Sequence, residues 1–400
     1  MPKRASGRSR EAPESRVGER QRKTRAARKN PPAASRESNV AARKRRDGAT
    51  QARRPKKTPS LRAAAPPQDL DARLAFFARA RRYAPYLGIE VDGARFVVST
   101  DDQELGRGMF GKRGRPEFKV LGRAVTVIQI LAGEDAVAGS LFVDVGANIG
   151  TTTVAALLSH RFGAAVCFEP ETENYRLLLA NLALNGLEDD VRSLRVGVSN
   201  RTGRSLLVVG EGGGSMHWIA EDLEMVRSAE RTQAVRAAEQ PELRVRKMVP
   251  VEVELVTLDG LVESGVIDKN RVGMVWIDAE GHEGHVLQGG AGLLQDGVPV
   301  VLEFHPAGLQ EHGDRDQIHA IAEDAYTHFV DVRRQEVAGP RFQLHPVERL
   351  AAYADRRLAT TGEGFFTDLL LLRLDEAQAR KGSDLPRLVA ARLGTGPTEG

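Results

Sequence analysis

The 400-residue sequence contains one cysteine, only 5% aromatic residues and no long hydrophobic run. Cys167 has no partner within the chain, so an intramolecular disulfide is excluded and a buried, inert thiol is predicted. Because no run of about eighteen apolar residues occurs, a membrane-spanning helix is not expected. The apolar segment of a secretory signal is also missing. These absences predict a soluble, cytoplasmic protein.

Basic charge is confined to the amino-terminal part of the chain. Residues 1–60 contain 20 Lys or Arg and 5 Asp or Glu, a net charge of +15, whereas the remaining residues carry −11. Almost no large apolar side chain interrupts the basic blocks, so this part cannot bury enough surface to fold. A disordered basic tail is therefore predicted over 1–68. It is either a solvated extension or a contact for nucleic acid or an anionic membrane surface.

The run LFVDVGANIG at 141–150 joins a strand pattern to a glycine turn and a helix. Gly146 and Gly150 let the backbone approach a ligand closely, and the next helix begins with free N–H groups. The G-x-x-x-G spacing behind Asp144 is not the G-x-G-x-x-G of dinucleotide sites, and no Gly-Lys-Ser/Thr follows for a triphosphate. A nucleotide-like cofactor without a phosphate chain is indicated.

A second strand pattern, 164–168, ends in Glu169. An acidic residue at the tip of the second strand is placed to accept hydrogen bonds from ribose hydroxyls. Because a ribose without phosphates fits both features, S-adenosyl-L-methionine (SAM) is the predicted cofactor.

Strand and helix patterns alternate from residue 141 onward. This alternation predicts an α/β fold with a doubly wound, mostly parallel sheet of seven strands, the last antiparallel. The predicted strands are 141–145, 164–168, 192–198, 272–277, 298–304, 329–332 and 366–372. The predicted parts of the chain are a tail at 1–68, a cap segment at 69–135 beside the first strand, a catalytic domain at 136–376 and a carboxyl-terminal tail at 377–400.

Polar residues cluster where the predicted strands end. Ligands of such sheets bind beyond the carboxyl ends of the strands. That rule places six side chains at one edge: Asp144, Glu169, Ser199, Asp278, Glu280 and His305. Of these, Asp144, Glu169 and Ser199 are predicted to bind the cofactor, and His305 is predicted to meet the substrate. An insertion at about 210–250, opening with a glycine-rich segment, is predicted to be a mobile flap. Ser215 and His217 are expected to meet the substrate there, the alternative being a glycine hinge beside a surface histidine.

Several segments are similar to those of a known family. They are VDVGANIGTTT at 143–153, EPETENYRLLLANLALN at 169–185, TLD at 257–259 and IDAEGHEGHVLQGG at 277–290, with FVVSTDDQELGRGMF at 96–110 upstream. Together they resemble the FkbM family of SAM-dependent methyltransferases over roughly residues 90–305. The resemblance implies a class I methyltransferase fold and, for most members, O-methylation of hydroxyls on sugars, lipids or polyketides.

The resemblance also implies roles for individual residues. The positions that match the family's cofactor site are Gly146, Asn148, Gly150, Thr153 and Glu169. The acids that match its signature are Asp278, Glu280 and Glu283. The family usually has Lys where this chain has Trp276, and often Ala at the position of His282. Trp276 is expected to pack in the sheet.

Methyl transfer to a hydroxyl needs an aligned acceptor and a base. Asp278 and Glu280 are predicted to hydrogen-bond the acceptor or to favour the sulfonium by opposite charge, the alternative being that they cap the next helix. His282 is the candidate base, the alternative being a structural histidine.

Other interpretations stay open at this point. Histidines and acids around 280–285 could bind a metal, but no H-E-x-x-H pattern occurs and no metal is predicted. The basic tail motivates an RNA methyltransferase, although the Asn/Asp-Pro-Pro-aromatic turn typical of base methylation is missing and the acids would repel phosphates. A catalytically inactive SAM-binding protein is the third interpretation, prompted by Trp276.

Overall fold

The computed structural model describes residues 69–394, apart from positions 115, 160, 211–216, 240–246, 313–314, 334–341 and 363. The predicted tail at 1–68 lies outside these described residues. The helices are α1 Leu70–Ala80, α2 Leu105–Lys112, α3 Pro116–Ala132, α4 Thr151–Leu158, α5 Thr172–Asn185, α6 Leu223–Glu239, α7 Leu258–Glu263, α8 Glu283–Gly289, α9 Ala291–Leu294, α10 Pro306–His312, α11 Arg315–Ala325, α12 Leu350–Thr361, α13 Glu376–Gly382 and α14 Leu385–Leu393. The strands are β1 Tyr86–Val91, β2 Ala94–Ser99, β3 Ser140–Val145, β4 Phe162–Phe168, β5 Val191–Leu194, β6 Gly197–Val198, β7 Gly203–Gly210, β8 Trp218–Ala220, β9 Met248–Val256, β10 Val272–Ile277, β11 Val300–Phe304, β12 His328–Asp331, β13 His345–Pro346 and β14 Thr367–Leu372.

A sheet in the order β13-β12-β14-β11-β10-β3-β4-β5 forms the centre of the fold. Neighbours from β11 to β5 are parallel, whereas β14 runs antiparallel to both β11 and β12. The predicted doubly wound, mostly parallel sheet is confirmed, and the eighth strand is the two-residue edge strand β13. The chain winds outward from β3 in both directions. The switch point, where such sheets bind ligands, therefore lies between β3 and β10.

The central strands are apolar because helices cover both faces of the sheet. Phe142, Met274 and Trp276 belong to the core on one face, and Val143 and Val275 belong to the core on the other. Trp276 is 2% exposed, so the prediction that it packs in the sheet is confirmed.

The amino-terminal segment shares a core with Phe142 of β3, whereas its own two strands form a separate sheet. Its strand β2 pairs with β1 through a turn at Asp92 and Gly93, whose φ angles are 50° and 82°. Two successive positive φ angles are typical of a type I′ hairpin, for which Asp-Gly is a favoured sequence. Asn181 of α5 accepts the Val97 N–H at 2.6 Å. The hairpin therefore packs on α5.

The predicted third strand, 192–198, is split between two sheets. β5 is the edge of the central sheet, whereas β6 starts a second sheet in the order β6-β9-β7-β8. Ser199 continues the β6 pairing by donating its N–H to the Val256 carbonyl at 2.9 Å. The predicted flap at 210–250 contains β8 and α6 in its described part. This stretch therefore includes an ordered strand and helix.

The carboxyl-terminal segment predicted as a tail is folded over its described part. Helices α13 and α14 pack against α3, and Leu385 and Val389 are fully buried. A capping box between Asp375 and Gln378 starts α13. The sequence prediction missed α14, although Gly382 ahead of it, Pro386 in its first turn and Gly394 at its end mark its boundaries.

Candidate functional site

A cavity of about 770 Å³, open to solvent, lies at the switch point of the central sheet. Its floor is formed by residues that follow β3, β4 and β10, and its wall comes from the second sheet. The lining residues are Val145, Gly146, Ala147, Asn148, Thr151, Thr152, Phe168, Glu169, Pro170, Asn174, Val196, Gly197, Val198, Leu207, His217, Ile219, Asp278, Ala279, Glu280 and His282. The predicted glycine turn and the predicted acids of the fourth strand thus meet in one cavity.

The turn after β3 can only be made with glycine at its first position. Gly146 has φ +81°, and a Cβ there would lie 1.8 Å from the Asp278 carbonyl oxygen. The Asp278 N–H donates to the Val145 carbonyl at 3.0 Å, so the ends of β3 and β10 are held together at this point. Asn148 also has a positive φ, 51°. The close approach of the β3 and β10 ends and the left-handed conformations of Gly146 and Asn148 shape the floor of the cavity.

Glu169 joins the glycine turn to the end of β4. Its Oε2 accepts the N–H of Asn148 at 2.8 Å, and its Oε1 accepts the N–H of Glu171 at 2.8 Å. Burial raises the pKa of Glu169 to about 8, although both backbone donors act in the opposite direction. Each carboxylate oxygen keeps a second lone pair, so a ligand hydroxyl can still donate to it.

Three residues predicted to bind the cofactor support the turn from beneath, outside the cavity lining. Thr153 donates its hydroxyl hydrogen to Asp144, which is fully buried, and burial raises the pKa of Asp144 to about 7. Gly150 lets α4 approach α5, since a Cβ there would lie 2.6 Å from Leu178 Cδ1. The sequence motif of the turn therefore contains two kinds of residue, those that line the cavity and those that support the turn, because both kinds are close-packed.

The turn after β10 carries the acids of the predicted catalytic set. Asp278 and Glu280 line the cavity, and Glu280 adopts φ 51°. Glu283 instead accepts the N–H groups of Ala279 at 2.9 Å and Gly281 at 3.1 Å. Glu283 therefore closes the turn that carries Asp278 and Glu280 and does not cap α8, and burial raises the pKa of Glu283 to about 7.

The acidic side of the cavity has no basic counterpart in its described lining. Burial and then the charges of Asp278, Glu283 and Glu104 raise the pKa of Glu280 well above its ordinary value. No lysine or arginine is among the described lining residues. An anionic group would therefore be repelled here, whereas a neutral or cationic group would not.

His282 lines the cavity one residue before α8 begins. Its Nε2 lies 2.9 Å from the hydroxyl oxygen of Ser199, and its ring stacks on His285 with 4.3 Å between centroids. Ser199, predicted to bind the cofactor, is 1% exposed and does not line the cavity. It reaches the cavity only through His282.

The remaining predicted substrate residues have different outcomes. His217 lines the cavity, Ser215 lies outside the described residues, and His305 begins the connection to α10 without lining the cavity. His305 was placed at the site because β11 ends there, but its ring packs against Gly308, where a Cβ would lie 2.6 Å from Nδ1.

Comparison with known proteins identifies the family. Residues 144–333 match the model of the Methyltransferase FkbM domain. Methyltransferase sdnD from Sordaria araneosa is 30% identical over 193 residues, which cover 46% of this chain and 71% of that protein. The chain belongs to the FkbM methyltransferase family. SAM is the methyl donor of this family, as the sequence predicts.

Solved structures similar to this FkbM methyltransferase include two bacterial enzymes. The methyltransferase FkbM from Methylobacillus flagellatus KT has a TM-score of 0.33 and 14% identity, with coverage of 58% of this chain and 44% of that chain. The chain thus spans less than half of that protein. The B. subtilis M1A22 tRNA methyltransferase TrmK has a TM-score of 0.30 and 12% identity, with coverage of 65% and 67%.

The cavity of this FkbM methyltransferase carries hydrogen-bonding groups that fit SAM. The Asn148 Oδ1 and Asn174 Nδ2 atoms are buried at its wall and have no hydrogen-bond partner among the described residues. One accepts and the other donates, as a ligand with an amine and a purine ring requires. The glycine cradle and Glu169 complete the set. Within the described residues, no group of three or more metal-ligating side chains occurs, and no helix is long and apolar enough to span a bilayer.

Sequence reasoning missed two groups of lining residues. Thr151, Thr152 and Asn174 stand in the first turns of α4 and α5, and their closeness to the glycine turn and Glu169 was a usable signal. Leu207 and Ile219 come from the second sheet. They carry no local signal, because their place depends on how that sheet pairs.

Proposed function

We propose that this methyltransferase transfers the methyl group of SAM to a hydroxyl oxygen of an uncharged small molecule, sugar, lipid or polyketide-like acceptor. The observation that carries the proposal is the shared cavity of Glu169 and His282. The cavity brings together a site suited to a ribose and a candidate base. Glu280 lies between Glu169 and His282 in the sequence, and the described lining contains no lysine or arginine. The catalytic domain in this proposal is 136–376, and the segment 69–135 covers one face of its sheet.

The cofactor would be held by the floor and wall of the cavity. Glu169 accepts hydrogen bonds from the ribose hydroxyls, and the Asn148 Oδ1 atom accepts one from the amine of the methionine part. Asn174 Nδ2 donates a hydrogen bond to the adenine ring. Leu207 and Ile219 supply an apolar surface over the base. When bound, SAM supplies an electrophilic methyl group on a sulfonium sulfur.

The acceptor would be oriented and deprotonated by the residues after β10. Asp278 and Glu280 accept hydrogen bonds from acceptor hydroxyls and favour a nearby cation. His282 takes the proton of the attacking hydroxyl, a contribution of about 10² to 10⁴ in rate for general bases. Positioning the hydroxyl in line with the methyl group contributes up to about 7 to 11 kcal/mol.

Methyl transfer from tritiated SAM into fractionated cell extract tests this proposal. The full-length protein is expected to label neutral small molecules or glycolipids, with the label recovered as a methyl ether by mass spectrometry. His282→Asn serves as the control, because its background reports transfer that does not depend on the base. Label found only on amines or on RNA would contradict the proposal.

The +15 charge of residues 1–60 favours RNA as a second acceptor class. Salt-sensitive RNA binding by a variant lacking residues 1–60 would favour that class, since the tail could not explain it. RNA binding that disappears with the tail would leave the hydroxyl proposal in place. An inactive SAM-binding protein would bind SAM but release no S-adenosylhomocysteine with any acceptor fraction.

A further inference from the structure

Asn181, on α5, is a polar residue that is fully buried. Its side-chain amide contacts three backbone groups. Oδ1 accepts the Val97 N–H at 2.6 Å, and Nδ2 donates to the Ile149 carbonyl at 2.8 Å and to the Val97 carbonyl at 3.3 Å. A backbone N–H can only donate and a backbone carbonyl can only accept, so these partners fix the orientation of the amide.

The Ile149 carbonyl belongs to the glycine turn that forms the floor of the cavity. It lies outside α4, whose first hydrogen bond is accepted by the Gly150 carbonyl. The Gly150 N–H, in the same peptide unit as the Ile149 carbonyl, donates to the Ala147 carbonyl at 2.7 Å. Asn181 therefore holds one end of this peptide unit, and the turn holds the other. The unit follows Asn148, which lines the cavity with a positive φ, a conformation that persists only where its surroundings hold it.

Asn185 is the matched residue one turn further along α5. Its Oδ1 accepts the Arg95 N–H at 2.9 Å, and its Nδ2 donates to the Arg95 carbonyl at 2.7 Å. The two asparagines therefore hold alternate residues, 95 and 97, along the edge of β2 that is not bonded to β1. The other hydrogen bond of Asn185 Nδ2 stays within α5, to the Asn181 carbonyl at 2.7 Å, whereas Asn181 Nδ2 reaches the glycine turn.

One amide thus contacts both the β1–β2 hairpin and the glycine turn. If the hairpin moves away from α5, the amide loses the partner that orients it, and the buried Ile149 carbonyl can lose its donor, which is unfavourable. If the turn changes shape, the hydrogen bonds to Val97 are disturbed in the same way. The order of the hairpin and the order of the turn should therefore favour each other.

We propose that Asn181 is a positioning residue for the cofactor: it holds the peptide unit after Asn148 in the orientation that SAM binding requires, and it makes the β1–β2 hairpin part of the SAM-binding unit. The inference rests on the proposed function only where that function places SAM on the glycine turn, and it is independent of the acceptor and of the base. Coupling between two sites is reciprocal, so a ligand on the turn should stabilise the hairpin contact.

Hydrogen–deuterium exchange of the full-length wild-type protein, resolved to single amides, tests the coupling without any substitution. S-Adenosylhomocysteine is the added ligand. Exchange is expected to slow at the Asn148 N–H in the turn and, by about fivefold or more, at the Val97 N–H that donates to Asn181. The Arg95 N–H, which donates to Asn185, is the internal control and should change less than the Val97 N–H.

The exchange pattern distinguishes failure of this inference from failure of the proposed cofactor site. Slower exchange at Asn148 with no change at Val97 would overturn the coupling and leave the cofactor site in place. Equal slowing at Val97 and Arg95 would assign the coupling to α5 as a whole and overturn the role of Asn181. Bound ligand with no change at Asn148 would contradict the cofactor site itself.

The matched substitutions Asn181→Asp and Asn185→Asp test the side chain. The carboxylate in Asn181→Asp keeps an acceptor toward the Val97 N–H but faces two carbonyls without a hydrogen to donate. We expect the SAM Kd to rise by about tenfold or more at pH 8, with kcat at saturating SAM within twofold. Asn185→Asp should lose the equivalent contact with Arg95 and keep its SAM Kd within twofold. Titration calorimetry and initial rates measure these quantities.

Protonation should partly rescue Asn181→Asp, because a carboxylic acid can donate a hydrogen bond to the Ile149 carbonyl and burial favours the protonated form. The ratio of its SAM Kd to that of the wild-type protein should therefore fall between about pH 8 and about pH 6. A lower unfolding temperature with an unchanged SAM Kd would show that Asn181 has a structural role only. If Asn181→Asp does not fold, the exchange experiment on the wild-type protein still decides the proposal.

Discussion

Glu169 and Glu280 line the same cavity, and their surroundings differ. Glu169 has both carboxylate oxygens bonded to backbone N–H groups at 2.8 Å. Glu280 has a left-handed backbone, and no described residue donates a hydrogen bond to its carboxylate. The first carboxylate holds the turn together as well as facing the ligand. The second is kept in an unfavourable conformation that costs about 1 to 2 kcal/mol and is typical of functional sites.

On the proposed function, this difference divides the cavity into a cofactor half and an acceptor half. The cofactor half consists of Gly146, Asn148 and Glu169 and is fixed by main-chain hydrogen bonds. The acceptor half consists of Asp278, Glu280 and His282 and relies on side-chain contacts from other elements. Substitutions in the first half should therefore change SAM affinity, and substitutions in the second half should change turnover.

The largest effect is expected for Gly146→Ala. Its methyl group would meet the Asp278 carbonyl and force the ends of β3 and β10 apart. We expect loss of measurable SAM binding and a free energy of unfolding lower by about 2 to 5 kcal/mol. Gly265→Ala is the matched control, because Gly265 also has a positive φ of 71° but no atom near its added Cβ. Equal destabilisation of the two variants in urea would contradict the close-approach argument.

His282→Asn should lower kcat by about 100-fold or more while the SAM Kd stays within twofold, because a base acts only in the chemical step. Single-turnover transfer and calorimetry separate the two quantities. His305→Asn is the control, since His305 does not line the cavity. If His282→Asn lost SAM affinity to the same extent as kcat, the division into a cofactor half and an acceptor half would be wrong.

Glu169→Ala should weaken SAM binding by about 10- to 100-fold, the effect of losing hydrogen bonds to a charged acceptor. The protein should remain folded, because the β4 strand that carries Glu169 keeps its pairing on both sides. Titration calorimetry measures the affinity, and Glu188→Ala, at an exposed site after α5, is the control. Unchanged affinity would show that the ribose assignment is wrong.

The smallest effect is a pH dependence of SAM affinity. Glu169 has a pKa near 8 without ligand, and ribose hydroxyl donors favour its ionised form, so binding releases a proton. Affinity should fall by up to about tenfold per pH unit below 8 and level off above it. Glu169→Gln should lose this component when calorimetry is repeated from about pH 6 to about pH 9. If the SAM affinity of the wild-type protein rose on acidification, the predicted release of a proton from Glu169 would be contradicted.

The cofactor half could be predicted from the sequence because its signals are local. Strand, glycine turn and helix follow one another within 141–158, and Glu169 stands one strand further on. Parallel strands then bring these residues to one edge whatever the rest of the chain does. The sequence could not distinguish residues that line the cavity from residues that support the turn. Asp144 and Gly146 belong to the same motif, and only packing decides which of them faces the ligand.

The acceptor half was predicted less completely because it depends on pairing between distant segments. The residues at 192–198 read as one strand, but the backbone leaves the central sheet after Leu194 and joins β9 at Gly197. That change of sheet places Leu207 and Ile219 in the wall and brings Ser199 to His282. No local pattern specifies it, since it follows from the register of β7 with β9.

A crystal structure of the full-length protein with S-adenosylhomocysteine tests the central claim most directly. We expect the ribose hydroxyls on Glu169, the amine beside Asn148, and the sulfur facing the side of the cavity that carries Glu280 and His282. The product bound elsewhere, or with its sulfur turned away from Glu280 and His282, would contradict the proposal that one cavity holds both reactants.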